Sequence, residues 1–133
     1  MLCTRAIAEM HQIARALGST EATLAGLAGI GDLMLTAFGR ASRNRTVGVR
    51  LGRGESLPAI LASLTEVAEG VATAPVALRL ARSLGVAAPI LEAIAAVLEG
   101  ALAPISALMA LLELPTGAAR ILDGLLLAQS PRR

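Results

Sequence analysis

Apolar residues in positions 1–17 recur at helical spacing. Leu2, Ala6, Ile7, Met10, Ile13 and Leu17 fall on one side, and Arg5, Glu9, Gln12 and Arg15 on the other. This predicts a first helix with an apolar stripe facing a core, stopped by Gly18. Thr20 fits the N-cap of a short helix over 20–27, with Glu21 in its first turn. Gly26, Gly29 and Gly31 exclude a stable helix interior and mark tight turns or a close approach of another group. Asp32 then fits the cap of an apolar run at 33–38.

Ser56 opens a further helix with Pro58 in its first turn and Leu57, Ile60, Leu61 and Leu64 as its apolar face. Residues 65–70 read as a connector carrying Glu66 and Glu69. The following helix runs to Leu84 and either starts near Thr73 or kinks at Pro75, with Arg79 and Arg82 on its wet face. Gly85 ends it. Positions 89–98 are apolar nearly all round apart from Glu92, which predicts the central buried helix, and Gly100 ends that one. A short helix over 104–112 is terminated by Pro115. Positions 117–129 are an amphipathic helix at best, and 130–133 are expected to fray. No segment alternates apolar and polar residues for long. The fold class is therefore all-α, a single multi-helical domain of about seven or eight helices. The domain occupies 1–112, and a partly helical or frayed tail occupies 113–133.

Composition sharpens this picture. Of 133 residues, 55% are hydrophobic and the mean hydropathy is +0.69. Disorder is excluded by that apolar content. The longest run without Asp, Glu, Lys or Arg is residues 100–112, and it contains Pro104. That is too short for the ~18–20 residues of a membrane-spanning helix, so no membrane span is expected and the apolar excess reads as core and contact surface. The single cysteine, Cys3, excludes an internal disulfide, and Arg5 and Glu9 interrupt any signal-peptide core, so the expected location is cytoplasmic.

All twelve basic residues are arginine. Without lysine, Schiff-base chemistry, a lysine proton donor and a Walker-type phosphate loop are excluded. His11 is the only histidine; it sits among Met10, Ile13 and Ala14 and reads as a structural residue, at the surface or half-buried. No metal site is expected, because any such site would have to be built from carboxylates. The glycine order at 26–31 is G-x-x-G-x-G after a helix, not the dinucleotide fingerprint after a strand. Five arginines (Arg40, Arg43, Arg45, Arg50 and Arg53) crowd positions 39–54. Guanidinium forks suit phosphate oxygens, Asn44 adds an amide, and Asp32 adds an acceptor for a hydroxyl. The set fits a small phosphorylated polyol or ketone; a solvated arginine-rich face beside a helix cap fits the same residues. Nucleic acid is not expected as a partner: the net charge is only +2, and Phe38 is the single aromatic residue available for stacking.

Several ordered motifs carry a resemblance. They are G-L-A-G-I-G-D-L-M-L-T at 26–36, S-R-N-R at 42–45, L-G-R-G at 51–54 and V-A-E-G-V at 67–71. T-R-A-I-A-E-M at 4–10 and L-G-V-A-A-P-I at 84–90 extend it in both directions. Together they resemble the C-terminal substrate domain of bacterial NAD(P)-dependent glycerol-3-phosphate dehydrogenases over about residues 2–112. The resemblance implies an all-helical domain that closes over substrate beside an N-terminal Rossmann domain absent from this chain. The implied reaction is hydride transfer between NAD or NADP and glycerone phosphate, giving sn-glycerol 3-phosphate for phospholipid synthesis.

By position, the resemblance makes Asp32, Ser42, Arg43 and Asn44 substrate contacts, and Arg43, Val67 and Glu69 cofactor contacts. No catalytic residue is implied within the chain, because the family's proton-accepting lysine lies upstream of it. The chain alone is therefore expected to be inactive, and to need a Rossmann-domain chain or to self-associate. A non-catalytic helical interaction module is the alternative. Three departures from the family pattern stand out: Ala6 for glycine, Glu66 for glutamine, and Pro75 in a helix normally free of proline. Glu66 is expected to weaken attraction for phosphate.

Overall fold

The computed structural model describes residues 2–19, 37, 39 and 42–113. The expectations placed on residues 20–36, including Gly26, Gly29, Gly31 and Asp32, on Phe38 and Arg40, and on Pro115 and the tail at 114–133 lie outside these residues. Among the described residues there are six helices and no strand. They are α1 (Leu2–Ala16), α2 (Arg43–Gly52), α3 (Leu57–Ser63), α4 (Glu69–Ser83), α5 (Pro89–Leu98) and α6 (Pro104–Glu113). The all-helical class is thus as the periodicity requires. Glycine stops fall where expected: Gly18, Gly85 and Gly100 take left-handed φ values of 84°, 68° and 73° just past α1, α4 and α5.

Helix α5 is the hub, packed against α1, α4 and α6, and α2 packs against α3, α4 and α6. One apolar cluster joins α5 and α6 through Ile90, Ala93, Ala96, Ala107, Ala110 and Leu111, with Leu2 and Ala6 of α1 against it. A second joins α2, α3 and the segment before α4 through Val47, Ile60 and Ala68. Alanine dominates the first cluster, so helix backbones approach closely with little side-chain entropy lost.

Two expectations need correction. In α1 the buried position is Glu9, 8% exposed, whereas Met10 and Leu17 are 40% and 58% exposed. The reason is a helix start elsewhere. Pro89 begins α5 behind Ala88, which has no side chain able to cap. The Glu9 carboxylate fills that role: Oε1 accepts from the Ile90 N–H at 2.7 Å and Oε2 from the Leu91 N–H at 3.2 Å. Arg5, one turn earlier, donates to the Leu111 carbonyl oxygen at 2.6 Å and satisfies an orphan acceptor in the last turn of α6. The polar residues of α1 therefore clamp two helix ends.

The second correction concerns α4, which begins at Glu69 and continues through Pro75. Proline removes one ladder bond there. Burial of Ala74, Leu78 and Ala81 holds the helix through that gap, and Glu69 places a negative charge in its first turn.

Candidate functional site

Five of the expected site residues, Ser42, Arg43, Asn44, Val67 and Glu69, lie where the start of α2 meets the start of α4. Ser42 is the N-cap of α2, in extended conformation, and its Oγ accepts from the Arg45 N–H at 3.2 Å. The Ser42 carbonyl accepts from Thr46 Oγ1 at 3.1 Å. These bonds fix where α2 begins and therefore where Arg43 and Asn44 project. Helix α4 starts behind Ala68, which again cannot cap. Asn44 supplies the acceptor: its Oδ1 takes the Gly70 N–H at 3.0 Å. A Cβ on Gly70 would lie 2.8 Å from that oxygen and 2.9 Å from Cγ, so the close approach requires glycine. The S-R-N and V-A-E-G motifs, 26 residues apart at this bond, form one junction.

Gly70→Ala tests the junction. The methyl group meets the end of an exposed, flexible side chain, so Asn44 swings away and the helix persists. Alanine's better helix propensity offsets most of the lost hydrogen bond, and net stability changes by less than about 1 kcal/mol. Thermal denaturation should show a near-native melt, and the Asn44 side-chain amide resonances should move.

Arg43 projects from the first position of α2 and forms an ion pair with Glu66, both side chains being more than half exposed. The partner of Arg43 is thus Glu66. Val67 beside it is 76% exposed, and Glu69 is also exposed. Thr65, Glu66 and Val67 edge a hollow of about 370 Å³ with Leu61 and Leu64. On the other side of the junction, Asn44 and Gly70 edge an apolar groove of about 590 Å³ lined by Val47, Leu51, Leu98 and Leu108 among others.

The arginine-rich segment divides by role. Arg50 grips Glu55 through Nε and Nη2, with Nε 2.9 and 3.0 Å from the two carboxylate oxygens, and donates Nη1 to Ser63 Oγ at 2.5 Å. This fork ties the end of α2 to the end of α3. It holds the Glu55 carboxyl below its ordinary range and pushes the Arg50 guanidinium higher. Arg45 and Arg53 are exposed. Arg50 is therefore a structural residue, and Arg43 is the arginine placed beside Asn44 at the junction. His11 is half-buried in α1, the second of the two settings expected for it.

Sequence reasoning placed Ser42, Arg43, Asn44, Val67 and Glu69, and the structure brings all five to one end of the helical layer. It missed three residues: Glu9 as the cap of α5, Gly70 as the seat of Asn44, and Glu66 as the partner of Arg43. The available signal was a deficit. Ala68 and Ala88 precede helices and cannot cap them, so another element must supply each acceptor.

Fold and junction together define a small helical domain in which the starts of α4 and α5 are held by polar side chains of α2 and α1. Comparison with known proteins assigns it further. A family model described as the NAD-dependent glycerol-3-phosphate dehydrogenase C-terminus matches residues 1–109, and the chain belongs to that family. It is 51% identical over 117 residues to a glycerol-3-phosphate dehydrogenase (NAD(P)+) of Hyphomonas neptunium, covering 88% of this chain and 35% of the relative. It is 53% identical over 115 residues to the enzyme of that name from Acidobacterium capsulatum, covering 86% and 34%. A chloroplastic glycerol-3-phosphate dehydrogenase (NAD(+)) of Arabidopsis thaliana is 46% identical over 114 residues, covering 86% and 27%. The chain thus spans about a third of the length of the curated relatives it matches.

Proposed function

We propose that the chain is the substrate-binding part of an NAD(P)-dependent glycerol-3-phosphate dehydrogenase and works with a Rossmann domain on another chain or on a longer polypeptide. The observation that carries this is the junction at which Asn44 is seated on Gly70 with Arg43 beside it. A guanidinium is suited to a phosphate group, and an amide whose oxygen is engaged still has two N–H donors for a substrate oxygen. Asp32 and Ser42 complete the substrate set in this reading.

Cofactor contacts are confined to an edge. Exposed Val67 offers an apolar surface, Glu69 an acceptor suited to a ribose hydroxyl, and Arg43 a cation, which fits the rim of NAD or NADP. The bound cofactor supplies or accepts the hydride, while these residues orient it against the substrate. With no lysine in the sequence, the proton for the forming alkoxide comes from elsewhere in the working enzyme.

The apolar groove and the exposed Val76, Ile105 and Met109 favour a second body against the domain. A Rossmann-domain chain or a second copy fits that surface. Among the described residues no helix is long and apolar enough to cross a membrane, and a cytoplasmic setting suits the proposed chemistry.

Complementation tests the reading. The 133-residue chain is mixed with the N-terminal part of a relative such as the Hyphomonas neptunium enzyme, and glycerone-phosphate-dependent NAD(P)H oxidation is followed. Turnover should appear only in the mixture. Turnover by the chain alone would contradict the expectation that it needs a Rossmann domain. Absence of both complementation and phosphate-ester binding by the chain would overturn the substrate assignment.

A further inference from the structure

The Arg43–Glu66 pair remains to be accounted for. Arg43 sits at the first position of α2, and Glu66 lies on the non-helical segment between α3 and α4. The side chains are 54% and 58% exposed, so water and small solutes reach both. A guanidinium presents its donors in one planar fork, and a carboxylate at Nη2 competes with an incoming phosphate oxygen for one side of that fork. Glu69, three residues further on and also exposed, adds a second negative charge to the same end of the domain.

We propose that Glu66 is an internal counter-anion for Arg43, displaced when a phosphate ester binds, and that it thereby sets the chain's affinity for phosphorylated substrate. This rests on the reading of Arg43 as a phosphate ligand and adds a specificity-determining residue to it. Binding becomes an exchange, one anion for another on the same cation. The gain is the difference between phosphate and carboxylate, not the full strength of either. An exposed pair of this kind is weak, so the carboxylate tunes affinity and does not abolish it. An uncharged ligand has no claim on the guanidinium and escapes the competition.

The test measures binding of sn-glycerol 3-phosphate and of glycerol to the 133-residue chain by titration. Wild type, Glu66→Gln, Arg43→Ala and the double variant are compared, and circular dichroism checks that each is folded. Glu66→Gln should bind the phosphate ester about 3- to 10-fold more tightly than wild type. The gain should vanish on the Arg43→Ala background, and glycerol binding should not change. Arg43-dependent binding that Glu66→Gln leaves equal or weaker would overturn this inference and leave the substrate reading intact. A gain that persists without Arg43, or that extends to glycerol, would also overturn it. Absence of binding to both wild type and Glu66→Gln would overturn the substrate reading, and this inference with it.

Discussion

Glu9→Ala should lower the unfolding free energy by about 2–3 kcal/mol, since two backbone donors of α5 lose their acceptor inside the domain. The Ile90 and Leu91 N–H groups are otherwise orphans of the first helical turn, and Ala88 cannot replace the carboxylate. Urea denaturation of the two chains measures the difference. Glu9→Gln should cost less, about 1 kcal/mol, because the amide oxygen keeps one of the two bonds.

The glutamine variant also exposes a pH dependence. Burial pushes the Glu9 carboxyl above its ordinary range; bonds from Ile90 and Leu91 pull it back, and the neighbouring Glu92 charge adds to the rise. The folded state then holds a proton that the unfolded state has already lost. The contribution of Glu9 to stability is complete below the ordinary carboxylate range. It declines as pH rises from that range through the elevated folded value. Wild type should therefore lose stability relative to Glu9→Gln as the pH is raised from acid towards neutral. A difference that stays flat, or grows with pH, would mean that the capping bonds outweigh burial.

Arg43→Ala should reduce turnover of the complemented enzyme by about 100-fold or more, the scale expected when a cation that stabilises a bound phosphate is removed. Stability should change by less than about 0.5 kcal/mol, because the side chain is more than half exposed and its partner Glu66 is equally free to solvate. The contrast between the two variants is informative. Glu9→Ala weakens the scaffold, whereas Arg43→Ala removes chemistry from an intact one. Comparable loss of folding in both would show that the junction is structural; an unimpaired Arg43→Ala enzyme would place phosphate recognition elsewhere.

Much of the scaffold was legible because it depends on local chemistry. Gly18, Gly85 and Gly100 end helices by taking left-handed φ values, Pro58 and Pro89 mark first turns, and the apolar continuity of α5 identifies the hub. Leu2 and Ala6 face the core as periodicity requires, but Glu9 was misread, because periodicity counts it as polar and assigns it to water, whereas a helix start 81 residues away claims it. The start of α4 was misplaced because Pro75 is a strong local signal, and the contact that begins the helix at Glu69 is tertiary. At the junction, the resemblance named Ser42, Arg43, Asn44, Val67 and Glu69 as expected contacts. Their pairings, Asn44 with Gly70 and Arg43 with Glu66, depend on how α2 lies across the segment before α4, and no residue spacing encodes that.

The borrowed caps bear on how the chain acquires its shape. Helices α4 and α5 each follow an alanine and take an acceptor from a distant part of the chain, so neither has a side-chain cap of its own while it stands by itself. For α5 the supplier is close to the first residue, which makes closure of a long loop a condition for setting the register of the hub. The middle of the domain should therefore settle late and all at once, and a chain shortened past position 9 should keep α5 ragged at its start even where the other helices form.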